Sequence, residues 1–221
     1  MTTTKRKKLN INGWINLDKP AGVTSSDMVN KIRYTLQAAK AGHAGTLDPL
    51  ATGILPIALG EATKVLPYVT DSMKTYVFTV TWGEARDTDD SEGKVIAQSS
   101  IRPDESQIQA ALPRFIGTVK QVPPQFSALK INGERAYDLA RAGTAVDLPA
   151  RDVFIENLTL LSHTADTATL ECECGKGTYV RSIARDLAEI LGTKGYVSAL
   201  RRTKVGCFSE KTAISLESFL E

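Results

Sequence analysis

Cysteine and histidine are both scarce in this chain, and each shortage excludes a class of function. The three cysteines, Cys172, Cys174 and Cys207, are odd in number and show no CxxC spacing. They do not build a disulfide framework and read as reduced thiols of a cytoplasmic protein. The two histidines, His43 and His163, are far apart in sequence, so no zinc site is expected. No apolar run is long enough for a transmembrane helix. The stretch Met1 to Lys8 is polar and basic, without the apolar segment of a secretory signal. HExxH, GxSxG and GxGxxG are missing. Gly175-Lys176-Gly177-Thr178 fails as a phosphate loop, because the upstream glycine is absent and Gly177 follows the lysine.

What is present is ordinary globular material. The chain has 221 residues, 42% hydrophobic and 24% charged, enough for one sizeable core or two small ones. The net charge of +2 does not by itself mark a nucleic-acid binder. Local clusters are more informative. Lys5-Arg6-Lys7-Lys8 reads as solvated surface charge. Arg201-Arg202-Thr203-Lys204 interrupts an apolar region, where a phosphate-facing role is more credible.

Along the chain, Trp14 to Lys19 reads as a strand stopped by Pro20. Thr24, Ser25 or Ser26 caps a helix carrying Val29, Ile32 and Leu36 at helical spacing. Tyr76 to Trp82 alternates as a strand should. Asp87 to Gly93 is an acidic turn, and Lys94 to Ala97 a returning strand. A short helix starts at Pro103-Asp104-Glu105 and runs through Leu112. Pro123-Pro124 breaks regular structure, Lys130 to Gly133 is a turn, and Glu134 to Arg141 reads as a small helix. Lys130, Arg135 and Arg141 beside Phe126 and Tyr137 suit either an ordinary surface excursion or RNA contact. Val153 to Leu161 and Thr167 to Cys174 form a hairpin. Val180 to Leu191 carries a clean apolar stripe and ends at Gly192. Tyr196 to Leu200 and Val205 to Phe208 read as two separate short apolar pieces, and Ser215 caps a last helix.

The most constrained stretch is Gly42-His43-Ala44-Gly45-Thr46-Leu47-Asp48-Pro49-Leu50-Ala51-Thr52-Gly53. Glycines allow backbone angles and close approaches that other residues forbid. Pro49 fixes its own φ and pushes Asp48 towards extended backbone. The apolar run Ile54 to Leu59 anchors this turn to a core. A carboxylate held here has a defined direction, although an aspartate before proline most commonly bonds its own backbone. To act as a nucleophile it must stay ionised in a shielded site, which calls for a guanidinium nearby.

This stretch closely resembles the signature of the TruB family of pseudouridine synthases. Lys19-Pro20-Ala21-Gly22-Val23-Thr24-Ser25 resembles a first, supporting motif of that family, and Gly177-Thr178-Tyr179-Val180-Arg181-Ser182 another. The resemblance implies Asp48 as nucleophile, Arg181 as its cationic partner, and Tyr76 as a base-stacking residue with a part in proton removal. His43 would fill the gap left by a flipped base, and Leu200 would pack on the uracil. Lys19, Lys130, Tyr179, Arg201 and Arg202 complete the expected RNA-facing set. The implied fold is α/β (α+β), a mixed, largely antiparallel central sheet flanked by helices. It would be one catalytic domain over residues 1–221, with an RNA-gripping insertion at about 122–150 and no C-terminal RNA-binding domain. The expected partner is the T stem-loop of tRNA, bound by a monomer without metal or organic cofactor. The expected reaction isomerises the T-loop uridine (position 55) to pseudouridine. A non-catalytic RNA-binding or RNA-folding protein and a guide-RNA-dependent synthase are the alternatives.

Overall fold

The computed structural model describes residues 8–127 and 148–221, with the backbone alone at residues 130–131 and 134–135. The strands are β1 (Gly13–Lys19), β2 (Ala41–His43), β3 (Thr52–Leu59), β4 (Lys74–Trp82), β5 (Glu84–Arg86), β6 (Val95–Gln98), β7 (Gly117–Gln121), β8 (Lys130–Ile131), β9 (Glu134–Arg135), β10 (Arg151–His163), β11 (Thr167–Cys174), β12 (Gly195–Val205), β13 (Phe208–Ser209) and β14 (Ile214–Ser215). The helices are α1 (Ser25–Thr35), α2 (Leu66–Asp71), α3 (Glu105–Ala111), α4 (Val180–Ile190) and α5 (Leu216–Leu220). The architecture is mixed α/β with mostly antiparallel strand pairing. The chain forms two compact units, Met1–Thr75 with Arg201–Glu221, and Tyr76–Leu200. The division falls inside β4 and β12, so each of these strands carries residues of both units.

In the first unit β3 is the spine. β1 runs antiparallel along one edge of it, with Leu17 opposite Leu55, and β2 pairs antiparallel on the other edge, with His43 opposite Ile57. The end of β12 joins in parallel, Arg202 opposite Gly53. Gly53 has φ +103°, and a Cβ there would lie 2.2 Å from the Arg202 carbonyl oxygen. Only glycine permits both that angle and that approach. Ile54, Leu55, Ile57 and Ala58 are all fully buried, so β3 is covered on both faces, as its unbroken apolar run requires. Thr24 caps α1 in a reciprocal capping box with Asp27, which satisfies two backbone donors at the helix start.

In the second unit β12, β4, β11, β10 and β7 are neighbours in that order. Along β4, Tyr76, Phe78, Val80 and Trp82 point inward and alternate with half-buried residues. Cys172 and Cys174 share the buried face of β11 and are not joined in a disulfide. Their mutual hydrogen bond, followed by burial, pushes the Cys172 thiol far above its ordinary value. The apolar stripe of α4 buries Val180, Ile183, Ala184 and Leu187.

The structure departs from the sequence reading in several places. The first expected piece, Tyr196 to Leu200, runs on through Arg201 and Arg202 to Val205 as β12, and the second, Val205 to Phe208, is the turn from β12 into β13. The arginines that interrupt the apolar pattern of β12 are accommodated because each finds acceptors: Arg201 on Asp18 and Glu210, Arg202 on two carbonyls. The expected returning strand lies at Val95–Gln98, and its partner is β5, which the sequence reading did not list. Residues 60–71, which carry no clear pattern, form a 3-10 turn leading into α2. Glu134–Arg135 pairs as a strand with Lys130–Ile131, so no helix begins there. The rest of that expected helix, the side chain of Lys130, and residues 5–7 of the N-terminal basic run lie outside the described residues. Among the described residues, no helix is long and apolar enough to cross a membrane.

Candidate active site

Buried side chains grip the backbone of the loop carrying Asp48. Ser25, buried at the start of α1, accepts a hydrogen bond from the Leu47 amide at 2.8 Å and donates to the Leu47 carbonyl at 3.0 Å. Both peptide planes before Asp48 are thereby set. Lys19 is 0% exposed. Its Nζ donates to the carbonyls of Pro20 (2.9 Å), Val23 (2.8 Å) and Pro49 (3.3 Å). The Gly22 amide also donates to Pro49, at 2.8 Å. Lys19 therefore ties the turn before α1 to the residue after Asp48. Arg202 is 1% exposed and donates to the carbonyls of Gly45 (3.0 Å) and Ile54 (2.8 Å). The Asp48 carbonyl accepts from the Ala51 amide at 3.1 Å. Gly45 has φ +88°, and a Cβ there would stand 3.2 Å from Arg202 Nη1. Asp48 itself is half-buried and Thr46 exposed. Backbone supports thus surround an aspartate that is half-buried.

His43 ends β2 immediately before this loop. Burial pushes its imidazole below the usual value, the Arg202 charge adds to that, and the Gly45 backbone opposes it. The ring is therefore neutral at neutral pH, a planar group without charge. Arg201 lies on the opposite side of β12 from Arg202. It makes a two-pronged contact with Asp18 (2.8 and 3.1 Å) and a bond to Glu210. The Asp18 contact raises its already high pKa further. Lys19 and Arg202 hold the motif from within, and Arg201 joins β12 to β1.

In the second unit the sequence-predicted residues are Tyr76, Tyr179, Arg181 and Leu200. Tyr76 and Leu200 are buried on β4 and β12. Tyr179 is half-buried, with the Arg151 guanidinium 5.0 Å from its ring centre, a cation–π arrangement. Arg181 is 4% exposed. Its Nη1 donates to the Thr88 carbonyl at 2.8 Å and lies 3.3 Å from Asp90 Oδ2, and its Nη2 donates to the Phe126 carbonyl at 3.0 Å. The nearby carboxylate Asp186 bonds Arg185 instead. Asp90 is itself buried, and accepts from the Thr88 hydroxyl and the Glu92 amide. Beside it Asp89 bonds Arg185 at 3.0 Å. Burial pushes the Asp89 carboxyl up to about 6, against the lowering pull of Arg185 and Arg181.

Three buried polar residues escape the sequence reading: Ser25 as the Leu47 clamp, Asp90 as a carboxylate on Arg181, and Gln121, which bonds the Tyr179 backbone. Asp90 belongs to a stretch read as an acidic turn. The signal that could have raised it is the clustering of Asp87, Thr88, Asp89 and Asp90, which is more than a two-strand connection needs. Among the described residues no group of three or more His, Cys, Asp or Glu is placed to hold a metal ion.

This chain matches the TruB family pseudouridylate synthase N-terminal domain over residues 33–180. It matches the tRNA pseudouridylate synthase B C-terminal domain over residues 181–221. It is 55% identical to the tRNA pseudouridine synthase B of Mesorhizobium japonicum over 212 residues, covering 96% of this chain and 65% of that protein. It is 58% identical to the protein of the same name from Rhizobium etli, covering 98% of this chain and 70% of the relative. Among solved structures, one chain of a Cbf5-Nop10-Gar1 complex superposes with a TM-score of 0.74 at 31% identity, over 94% of this chain and 53% of the other. A chain from an H/ACA RNP bound to a substrate RNA containing 2′-deoxyuridine gives 0.72 at 28% identity, over 94% and 52%. The braced Gly42–Gly53 loop, the buried Arg181 and matches over nearly the whole length agree: this chain belongs to the TruB family of pseudouridylate synthases.

Proposed function

We propose that this chain converts a uridine of tRNA to pseudouridine, acting on the T stem-loop at position 55, as a single copy in the cytoplasm. The observation that carries the reading is the Asp48 loop, whose backbone is anchored by Ser25, Lys19 and Arg202 while Asp48 itself is half-buried. Such an arrangement suits a group that must meet a substrate in one orientation. The identities of 55% and 58% to proteins named tRNA pseudouridine synthase B favour tRNA as the substrate.

In this reading the target nucleotide leaves its stack before reacting. The neutral ring of His43 occupies the space it vacates. Asp48 attacks either the uracil ring or ribose C1′. The N1–C1′ bond breaks, the ring turns, a C5–C1′ bond forms, and the covalent bond to Asp48 breaks to restore its carboxylate. The C5 proton is then lost and N1 gains one, so the product is an isomer of the substrate. Tyr76 stacks on the base and takes part in removing the C5 proton, Leu200 packs on the uracil, and Arg181 keeps the nucleophile anionic. Tyr179 and Lys130 contact the RNA. Lys19, Arg201 and Arg202 act from behind, by holding the motif loop and β12.

The test is release of tritium from a T stem-loop labelled at uridine C5, with the purified chain and no other protein or RNA. Release by the unaltered chain and none by Asp48→Asn, with stem-loop binding kept, is the expected result. Label retained by the unaltered chain would leave the alternative of an RNA-binding protein without this chemistry.

A further inference from the structure

Gln121, the last residue of β7, is 3% exposed. Its carboxamide meets the backbone of Tyr179 as a neighbouring strand would. The Tyr179 amide donates to Gln121 Oε1 at 2.8 Å, and Gln121 Nε2 donates to the Tyr179 carbonyl at 3.1 Å. Tyr179 is the N-cap residue of α4, yet its own side chain caps nothing, since a phenol lacks the short acceptor arm of Ser, Thr, Asp or Asn. Its carbonyl also accepts the Ile183 amide at 3.2 Å. Gln121 therefore fixes the peptide planes on both sides of the residue where α4 begins. The chain just beyond it continues the attachment. Val122 O accepts from Ser182 Oγ and Arg185 Nη2, each at 2.8 Å, and Phe126 O accepts from Arg181 Nη2 at 3.0 Å.

We propose that Gln121 is a positioning residue for the reaction. It sets the peptide of Tyr179 so that Arg181, two residues on, presents its guanidinium in one orientation. The proposal rests on the functional reading above. A carboxamide is the one side chain of this length that offers a neutral donor and a neutral acceptor together, and Tyr179 uses both.

Glutamate is the informative replacement. A carboxylate at this position still accepts from the Tyr179 amide, but its second oxygen then faces the Tyr179 carbonyl, acceptor against acceptor. Protonation restores the donor, and burial moves that protonation upward in pH. We expect the kcat of Gln121→Glu relative to the unaltered chain to recover about tenfold between about pH 8.5 and about pH 6. Gln121→Met, with neither donor nor acceptor, loses roughly 10- to 100-fold in kcat at every pH, with KM for the stem-loop within about threefold. A flat pH ratio for Gln121→Glu overturns the proposal. So does a Gln121→Met kcat within about threefold of the unaltered chain. If Gln121→Met fails to fold, the pH ratio decides alone. If the unaltered chain makes no pseudouridine, the functional reading fails by itself. Hydrogen exchange at the Tyr179 amide then decides the clamp: faster in Gln121→Glu at high pH if the carboxamide holds this peptide, unchanged if it does not.

Discussion

Asp48 and Arg181 are held in opposite ways. Around Asp48 the supports are cations and a hydroxyl, Lys19, Arg202 and Ser25, and they grip backbone carbonyls and an amide. Around Arg181 the supports are acceptors, two carbonyls and the Asp90 carboxylate, and they grip the charged group itself. In the first unit the backbone is rigid and the carboxylate half-buried. In the second the guanidinium is sunk among partners. A buried charge costs little only when it is paired and hydrogen-bonded, which Arg181 satisfies. The difference fits the roles proposed above, in which Asp48 reacts and Arg181 keeps it charged.

The comparison can be broken from either side. The largest effect is expected at the cation. Arg181→Lys keeps the charge but loses the planar fork that spans Thr88, Phe126 and Asp90. Its kcat should fall roughly 10²- to 10³-fold, read in single-turnover pseudouridine formation with stem-loop binding measured alongside. A fall below about threefold would show that charge alone suffices. Next comes the loop. Lys19→Met removes a donor from three carbonyls and should lower unfolding free energy by roughly 2–4 kcal/mol in urea titration. It should also reduce turnover by loosening Asp48. Full turnover in a destabilised Lys19→Met protein would separate loop rigidity from catalysis.

The smallest effect concerns Asp89. Its folded-state carboxyl titrates at about 6, above its ordinary value of 3.8. The folded form therefore holds its proton more tightly. The associated stability is present below the ordinary value and is lost as pH rises through about 6. Asp89→Asn should remove this fall, worth at most roughly 3 kcal/mol. His43 acts in the opposite direction: its folded-state value is lowered, so stability is lost as pH falls below the ordinary histidine range. Thermal melts of Asp89→Asn and the unaltered chain from about pH 4 to about pH 7 should converge at the acid end. Parallel curves would refute the assignment.

The Asp48 loop was legible in the sequence because local rules write it. Glycine and proline constrain the backbone where they stand: Gly53 meets a backbone approach that only glycine permits, and Gly45 takes a positive φ of +88°. The strand alternation of Tyr76 to Trp82 and the stripe of α4 were legible for the same reason. What was not legible depends on long-range pairing. Arg181 reaches the Thr88 carbonyl 93 residues away, and Arg201 reaches Asp18 across 183. Gln121 bonds Tyr179 over 58 residues. Nothing in the local periodicity announces a side chain whose partner is a distant peptide. The same cause hid the continuity of β12: two adjacent arginines look like a break until their acceptors are known.

The most direct measurement is single-turnover pseudouridine formation by Asp48→Glu, which retains the charge and moves it by one methylene. If the anchored loop exists to place that oxygen, the variant should bind the stem-loop within about threefold of the unaltered chain and form product at least about 10²-fold more slowly. A rate within about threefold would contradict it, since a carboxylate that tolerates such a displacement does not need the supports that Lys19, Ser25 and Arg202 provide.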